Sequence, residues 1–141
     1  MRIAVIDGQG GGLGKAIIER LKNIGEDGIK IIALGTNSIA TANMIKTGAK
    51  DGATGENPIV YNAPRVDIIM GPIGIIVANS MLGELTPKMA EAITESSAEK
   101  ILIPFNKCSV YVTGVVEDTL QYHVDCGVSR AVAIYRDKFK G

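Results

Sequence analysis

The residues that offer chemistry stand at the start of the chain. Asp7-Gly8-Gln9-Gly10-Gly11-Gly12-Leu13-Gly14-Lys15 places five glycines within seven residues, more than a plain tight turn requires. Glycine lets the backbone take positive φ and approach a ligand with no Cβ in the way. The segment lies between a strand-like run, Ile3 to Ile6, and a helix-like one, Gly14 to Asn23. That context is what gives a glycine motif meaning. A helix start presents unpaired N–H groups and a partial positive charge, which together suit phosphate. The same glycines also read as a strand-to-helix turn packed tightly on a sheet, with no ligand. Asp7 has two readings of its own, a bond to a ligand hydroxyl or a brace on the loop's N–H groups. Bracing is the expectation, and a carboxylate so close argues against a highly charged ligand.

Other segments join the loop if the chain folds as a doubly wound sheet, where ligands sit beyond the carboxyl ends of the strands near the switch point. Thr36 and Asn37 then approach a ribose, while Ser38 is expected to cap the following helix. Gly71-Pro72-Ile73-Gly74 follows an apolar run from Val66 to Met70 and reads as the far wall of the cleft or as a simple turn. Asn79-Ser80 is polar inside an apolar stretch, so the pair must bond backbone or face the cleft. The expected cofactor-binding set is Gly8, Gln9, Gly10, Gly11, Gly12, Leu13, Gly14, Thr36, Asn37, Gly71, Pro72, Ile73 and Gly74. His123 and Cys126 share a helical face and with Cys108 would form a soft metal site. A packed cysteine and a surface histidine explain the same residues, and no metal site is expected. The single His has no evident partner to orient it, which leaves hydrolase chemistry with little support.

Three resemblances add to this. Gly8-x-x-x-Gly12-Leu13-Gly14, followed by Lys15-Ala16-Ile17-Ile18-Glu19-Arg20-Leu21, resembles the cofactor-binding start of short-chain dehydrogenases over residues 2–37. There the glycines line a turn around the dinucleotide's phosphates, so the resemblance implies NAD or NADP. It does not extend to that family's Tyr and Lys, which stand four residues apart. Tyr61 leads to Arg65, and Tyr111, Tyr122 and Tyr135 lead to Val115, Cys126 and Phe139. Leu34-Gly35-Thr36-Asn37 also lacks the acid that binds a ribose diol and the Arg that accepts a 2′-phosphate. Gly10-Gly11-Gly12-Leu13-Gly14-Lys15 is similar to the variant P-loop of partition-type ATPases. Ala16 replaces its magnesium-holding Ser or Thr, so ATP hydrolysis is not expected. Through Val5-Ile6-Asp7-Gly8-Gln9-Gly10-Gly11-Gly12 and Ala78-Asn79-Ser80-Met81-Leu82-Gly83-Glu84, nearly the whole chain resembles a family of short bacterial proteins of no assigned function.

The elements that must position these residues follow from the pattern. The chain has 141 residues, 46% of them apolar, with 15 basic and 15 acidic side chains. That suits a single domain over 1–141 with a substantial core. Zero net charge makes a nucleic-acid surface unexpected, and the longest apolar stretch, Ile68 to Ala78, is too short and too broken to cross a bilayer. With two cysteines and no secretory pattern ahead of the first strand, a cytoplasmic location is expected. Strands are expected at Ile3–Ile6, Ile29–Leu34, Val66–Met70 and Ile101–Phe105, with shorter ones at Ile59–Asn62 and Ser109–Thr113. Residues 51–58 read as a loop. Helices are expected over Gly14–Asn23, from Ser38 to a stop at Gly48 (with Ile39, Ala42 and Ile45 facing the core), after Thr86-Pro87, and over Asp118–Lys138. The alternation implies an α/β fold, a Rossmann-like three-layer sandwich whose mainly parallel sheet carries helices on both faces. The functional expectation is a nucleotide or dinucleotide binder acting as an accessory, sensor or partial oxidoreductase domain, as a homo-oligomer or accessory subunit. The alternative is an interaction protein that oligomerises through Ile73 to Leu82 and binds nothing small.

Overall fold

A computed structural model describes residues 1–105 and 109–140. Five parallel strands form one sheet: β1 (Arg2–Asp7), β2 (Lys30–Gly35), β3 (Asp51–Thr54), β4 (Ile68–Pro72) and β5 (Glu99–Ile103), in the order β3-β2-β1-β4-β5. β1 is central. It pairs with β2 along its whole length and with β4 from Ile3 opposite Ile68 to Val5 opposite Met70. Its unbroken apolar run follows from burial on both faces: Ile3 and Val5 point to one side of the sheet, Ala4 and Ile6 to the other.

The first side is covered by α1 (Gly12–Ile24), α2 (Ser38–Thr47) and α5 (Leu120–Tyr135). The second is covered by α3 (Glu56–Asn62) and α4 (Pro87–Glu95). This is the expected α/β sandwich. Because successive connections leave β1 and β4 on opposite sides, the strand order reverses between them, which places the switch point at the carboxyl ends of β1 and β4.

Local chemistry sets the helix limits. Gly11 takes φ 75 at the N-cap of α1, and Gly25 takes φ 73 at its end. Thr86 caps α4 by accepting from the Met89 N–H at 3.2 Å, with Pro87 at the first helical position. Thr119 caps α5 in the same way through Tyr122 N–H at 3.1 Å, so this helix starts two residues later than expected. Its cationic end, Arg136 and Lys140, closes on Glu26, each at 3.0 Å.

Several expectations change. Asn37, not Ser38, caps α2: its side-chain oxygen accepts from Ala40 N–H at 2.9 Å. The buried face of α2 is therefore Ala40, Thr41 and Met44, while Ile39 is 66% exposed and Ile45 also reaches solvent. Residues 51–62 form the edge strand β3 and then α3, not a loop followed by a strand. Ser109–Thr113 is irregular and exposed: β-branched side chains alone make no strand where the sheet offers no edge to pair with. Gly71 and Pro72 belong to β4, and Ile73 opens a short 3-10 turn over Ile73–Ile76.

Candidate functional site

The glycine loop sits where β1 feeds α1, and its glycines divide into two kinds. Three are required by the protein itself. A Cβ on Gly8 would lie 2.5 Å from Thr36 Oγ1 and 2.6 Å from Met81 Sδ. One on Gly14 would lie 2.5 Å from Met44 Sδ, and Gly11 combines positive φ with an approach of 2.8 Å to the Ala40 backbone. Gly10 and Gly12 differ. Both are exposed, neither has positive φ, and a Cβ on either would meet nothing within 4 Å. Their N–H groups find no hydrogen-bond partner among the described residues.

Asp7 braces the loop, as expected. Its carboxylate accepts from Gly8 N–H and Gly14 N–H, both at 2.7 Å. Burial pushes the Asp7 carboxyl above its usual range. The N–H groups of Gly14, Gly8 and Leu13 oppose the rise without cancelling it, and nearby Glu84 adds to it. Asp7 thus already neutralises part of the positive end of α1, leaving Gly12 as the first-turn N–H that points free.

Glu84, which the sequence reading missed, organises the neighbouring strand end. Its Oε1 accepts from Thr36 Oγ1 at 2.6 Å, from Asn37 Nδ2 at 2.8 Å and from Gln9 N–H at 2.9 Å. Asn37 Nδ2 also donates to the Gln9 carbonyl at 2.9 Å. Burial is the largest influence on Glu84 and acts to raise its pKa. The donors Thr36, Gln9 and Asn37 together outweigh it and hold the carboxyl below its usual range.

A cleft of about 430 Å³ opens between the glycine loop and the β4–α4 connection. It is lined on one side by Gly8, Gln9, Gly10, Gly11, Gly12 and Leu13, on the other by Pro72, Gly74, Ser80, Met81 and Leu82, with Phe105 at its end and Asp7 at its floor. No Lys or Arg is among these residues. Of the positions expected to bind, Gly14, Thr36, Asn37, Gly71 and Ile73 do not line it. Gly71 has a structural task instead, because a Cβ there would run into the Ile6 carbonyl oxygen of β1. Ser80 bonds backbone, its hydroxyl donating to Gly74 O at 2.5 Å, and still lines the cleft. The apolar wall of Met81, Leu82 and Phe105 was not anticipated. The one available signal was Leu82 itself, a large apolar residue beside Gly83 in a turn.

The alternative sites fare differently. Cys126 is a free, exposed thiol on α5, and Tyr122 stands edge-on to His123 at 5.3 Å between ring centroids. Cys108 lies outside the described residues. Among the described residues, no group of three or more His, Cys, Asp or Glu stands close enough to hold a metal ion, and no helix is long and apolar enough to cross a membrane. The Ile73 to Leu82 segment is largely taken up by the protein's own core: Ile75 is fully buried, and only Leu82, 98% exposed, projects.

Among curated proteins, no sequence matches this chain. Among solved structures, the chain is similar to a dodecameric FMN-dependent UbiX-like decarboxylase from Escherichia coli O157:H7, with 14% identity, a TM-score of 0.49, and coverage of 92% of this chain and 75% of that one. Residues 2–136 match a family described as a domain of unknown function, DUF3842, and over that span the chain belongs to it.

Proposed function

We propose that the cleft between the glycine loop and the β4–α4 connection binds a nucleotide-type small molecule, whose phosphate is held by the N–H groups of Gly10 and Gly12. The observation that carries this reading is the split among the glycines. Gly8, Gly11 and Gly14 are explained by internal crowding, whereas Gly10 and Gly12 leave open space and free donors at the switch point. The apolar wall of Pro72, Met81, Leu82 and Phe105 suits a flat ring beyond the phosphate, in keeping with sites that combine a mostly apolar lining with a few fixed polar groups. Asp7 and Glu84, with no cation in the lining, favour a ligand of low charge. NAD and NADP are the cofactors that the sequence points to; FMN, named for the similar decarboxylase, belongs in the same class. The chain would act as a single binding domain in an accessory, sensor or partial oxidoreductase role.

Thermal unfolding against NAD, NADP, FMN, FAD, ATP and ADP tests this. A ligand at a hundred times its dissociation constant adds about 2.7 kcal/mol, which raises the midpoint of a domain of this size by roughly 5–15 °C. The rise should vanish in Gly10→Val and Gly12→Val while their unliganded midpoints stay put. A flat response to every nucleotide sinks the reading.

Self-association is favoured by a separate observation. Phe105, Val110, Tyr111, Val112, Val115 and Val116 are all exposed, Tyr111 by 87%, and contiguous apolar surface of this kind marks interaction sites. Light scattering should report an oligomer, and Tyr111→Glu should dissociate it. A monomeric wild type removes this part.

A further inference from the structure

Building on the nucleotide reading above, we infer that the cleft takes a single nucleotide, because Glu84 shuts the half of the crevice in which a dinucleotide would lay its second nucleoside. In a sheet of this strand order, a dinucleotide spans the carboxyl end of β1. One of its riboses reaches the end of β2, where an acidic side chain normally receives it. Here β2 ends in Thr36 and Asn37, and both direct their donors to Glu84 Oε1, at 2.6 Å and 2.8 Å. Gln9 N–H joins them at 2.9 Å, so one carboxylate ties the glycine loop, the end of β2 and the β4–α4 connection together. Met81 fills the space over Gly8, its sulfur 2.6 Å from where a Cβ would stand. No residue of β2 or α2 lines the open cleft.

The backbone carries strain to keep this arrangement. Asn79, Met81 and Leu82 take φ of 65, 56 and 57, followed by Gly83 at 89. Left-handed conformations are costly for residues with side chains, and a run of them persists only where the surroundings hold it. The holders are Asn79 N–H on the Leu85 carbonyl at 2.7 Å and the Ser80 hydroxyl on Gly74 O. What the strained turn positions is Met81 and Leu82 over the cleft and Glu84 across the β2 side. The opening that remains, about 430 Å³, falls near the lower end of ordinary small-ligand pockets. It runs from Gly10 and Gly12 towards Phe105, away from β2.

Calorimetric titration of matched pairs tests this: nicotinamide mononucleotide with NAD, and FMN with FAD, on wild type, Glu84→Ala and Glu84→Gln. Wild type should bind the mononucleotide of a pair at least as tightly as the dinucleotide. Glu84→Ala should move that ratio at least tenfold towards the dinucleotide. Glu84→Gln keeps an oxygen for the same donors and should keep the wild-type ratio. A wild-type preference of tenfold or more for the dinucleotide overturns the single-nucleotide site while leaving nucleotide binding standing, and so does an unchanged ratio in a folded Glu84→Ala. Failure of all four ligands to bind overturns both. If Glu84→Ala does not fold, the wild-type ratios decide alone.

Discussion

The two flanks of β1 at its carboxyl end are built from the same loop yet do opposite things. On the β2 flank, every polar group near Gly8 is paired: Thr36, Asn37 and Gln9 converge on Glu84, and Met81 fills the gap. On the β4 flank, Gly10 and Gly12 face open space between apolar walls. Both conditions come from one segment, the connection after β4, which latches to the first flank with Glu84 and roofs the second with Met81 and Leu82. A glycine-rich loop therefore does not define a site by itself. Whatever packs beside it decides which of its glycines serve a ligand and which serve the fold.

The largest effect expected from this contrast is at Gly71. A methyl there meets the Ile6 carbonyl oxygen, a backbone atom that cannot swing aside, so Gly71→Ala should cost towards the upper end of the ~1–3 kcal/mol typical of overpacking. Denaturant midpoints would show it, and a neutral result would contradict the close β1–β4 approach. Gly8→Ala, on the closed flank, should lie in the lower part of that ~1–3 kcal/mol range, because its neighbours are side-chain ends that can shift. Thr36→Val keeps the shape of the side chain and removes one donor to Glu84, for about 1 kcal/mol.

A smaller, pH-dependent effect sharpens the same contrast. The pKa of Glu84 is lowered in the fold, so its contribution is present above the ordinary Glu value of about 4.3 and is lost as the pH falls through its folded value. Asp7 is raised and runs the other way: its contribution is fullest below about 3.9 and declines as the pH rises through its folded value. The difference between wild type and Glu84→Gln isolates Glu84. Wild type should lose more stability on acidification from pH 5 to pH 3, as measured by urea unfolding, and parallel curves would rule out the latch as an ionised group. Least of all should Gly12→Val alter stability, staying within about 0.5 kcal/mol.

The sheet was legible because β1, β2 and β4 are buried on both faces and appear as apolar runs, and because α1 and α4 carry their core residues at helical spacing. β3 was not. Asp51-Gly52-Ala53-Thr54 is mostly exposed and joins the sheet through backbone pairing with β2, which leaves no apolar pattern to read. α3 buries only Ile59 completely and contains Pro58, so its residues resemble a turn. The α2 face was misjudged because Ile39 and Ile45 suggested a core that Ala40 and Met44 in fact provide. At the site, the glycine loop was evident, and the cleft's second wall was half seen in Pro72 and Gly74. Glu84 escaped notice because its role depends on meeting Thr36 and Asn37, 48 and 47 residues away. A lone acid in a turn gives no local sign of that.

The most direct test of the central claim is calorimetric titration of FMN and NAD into wild type and Gly12→Val at matched fold stability. Binding of at least one of them to wild type, weakened a hundredfold or more in Gly12→Val, is the predicted result. Equal affinity in the two proteins, or no binding to a well-folded wild type, would show that the open glycines do not hold a ligand.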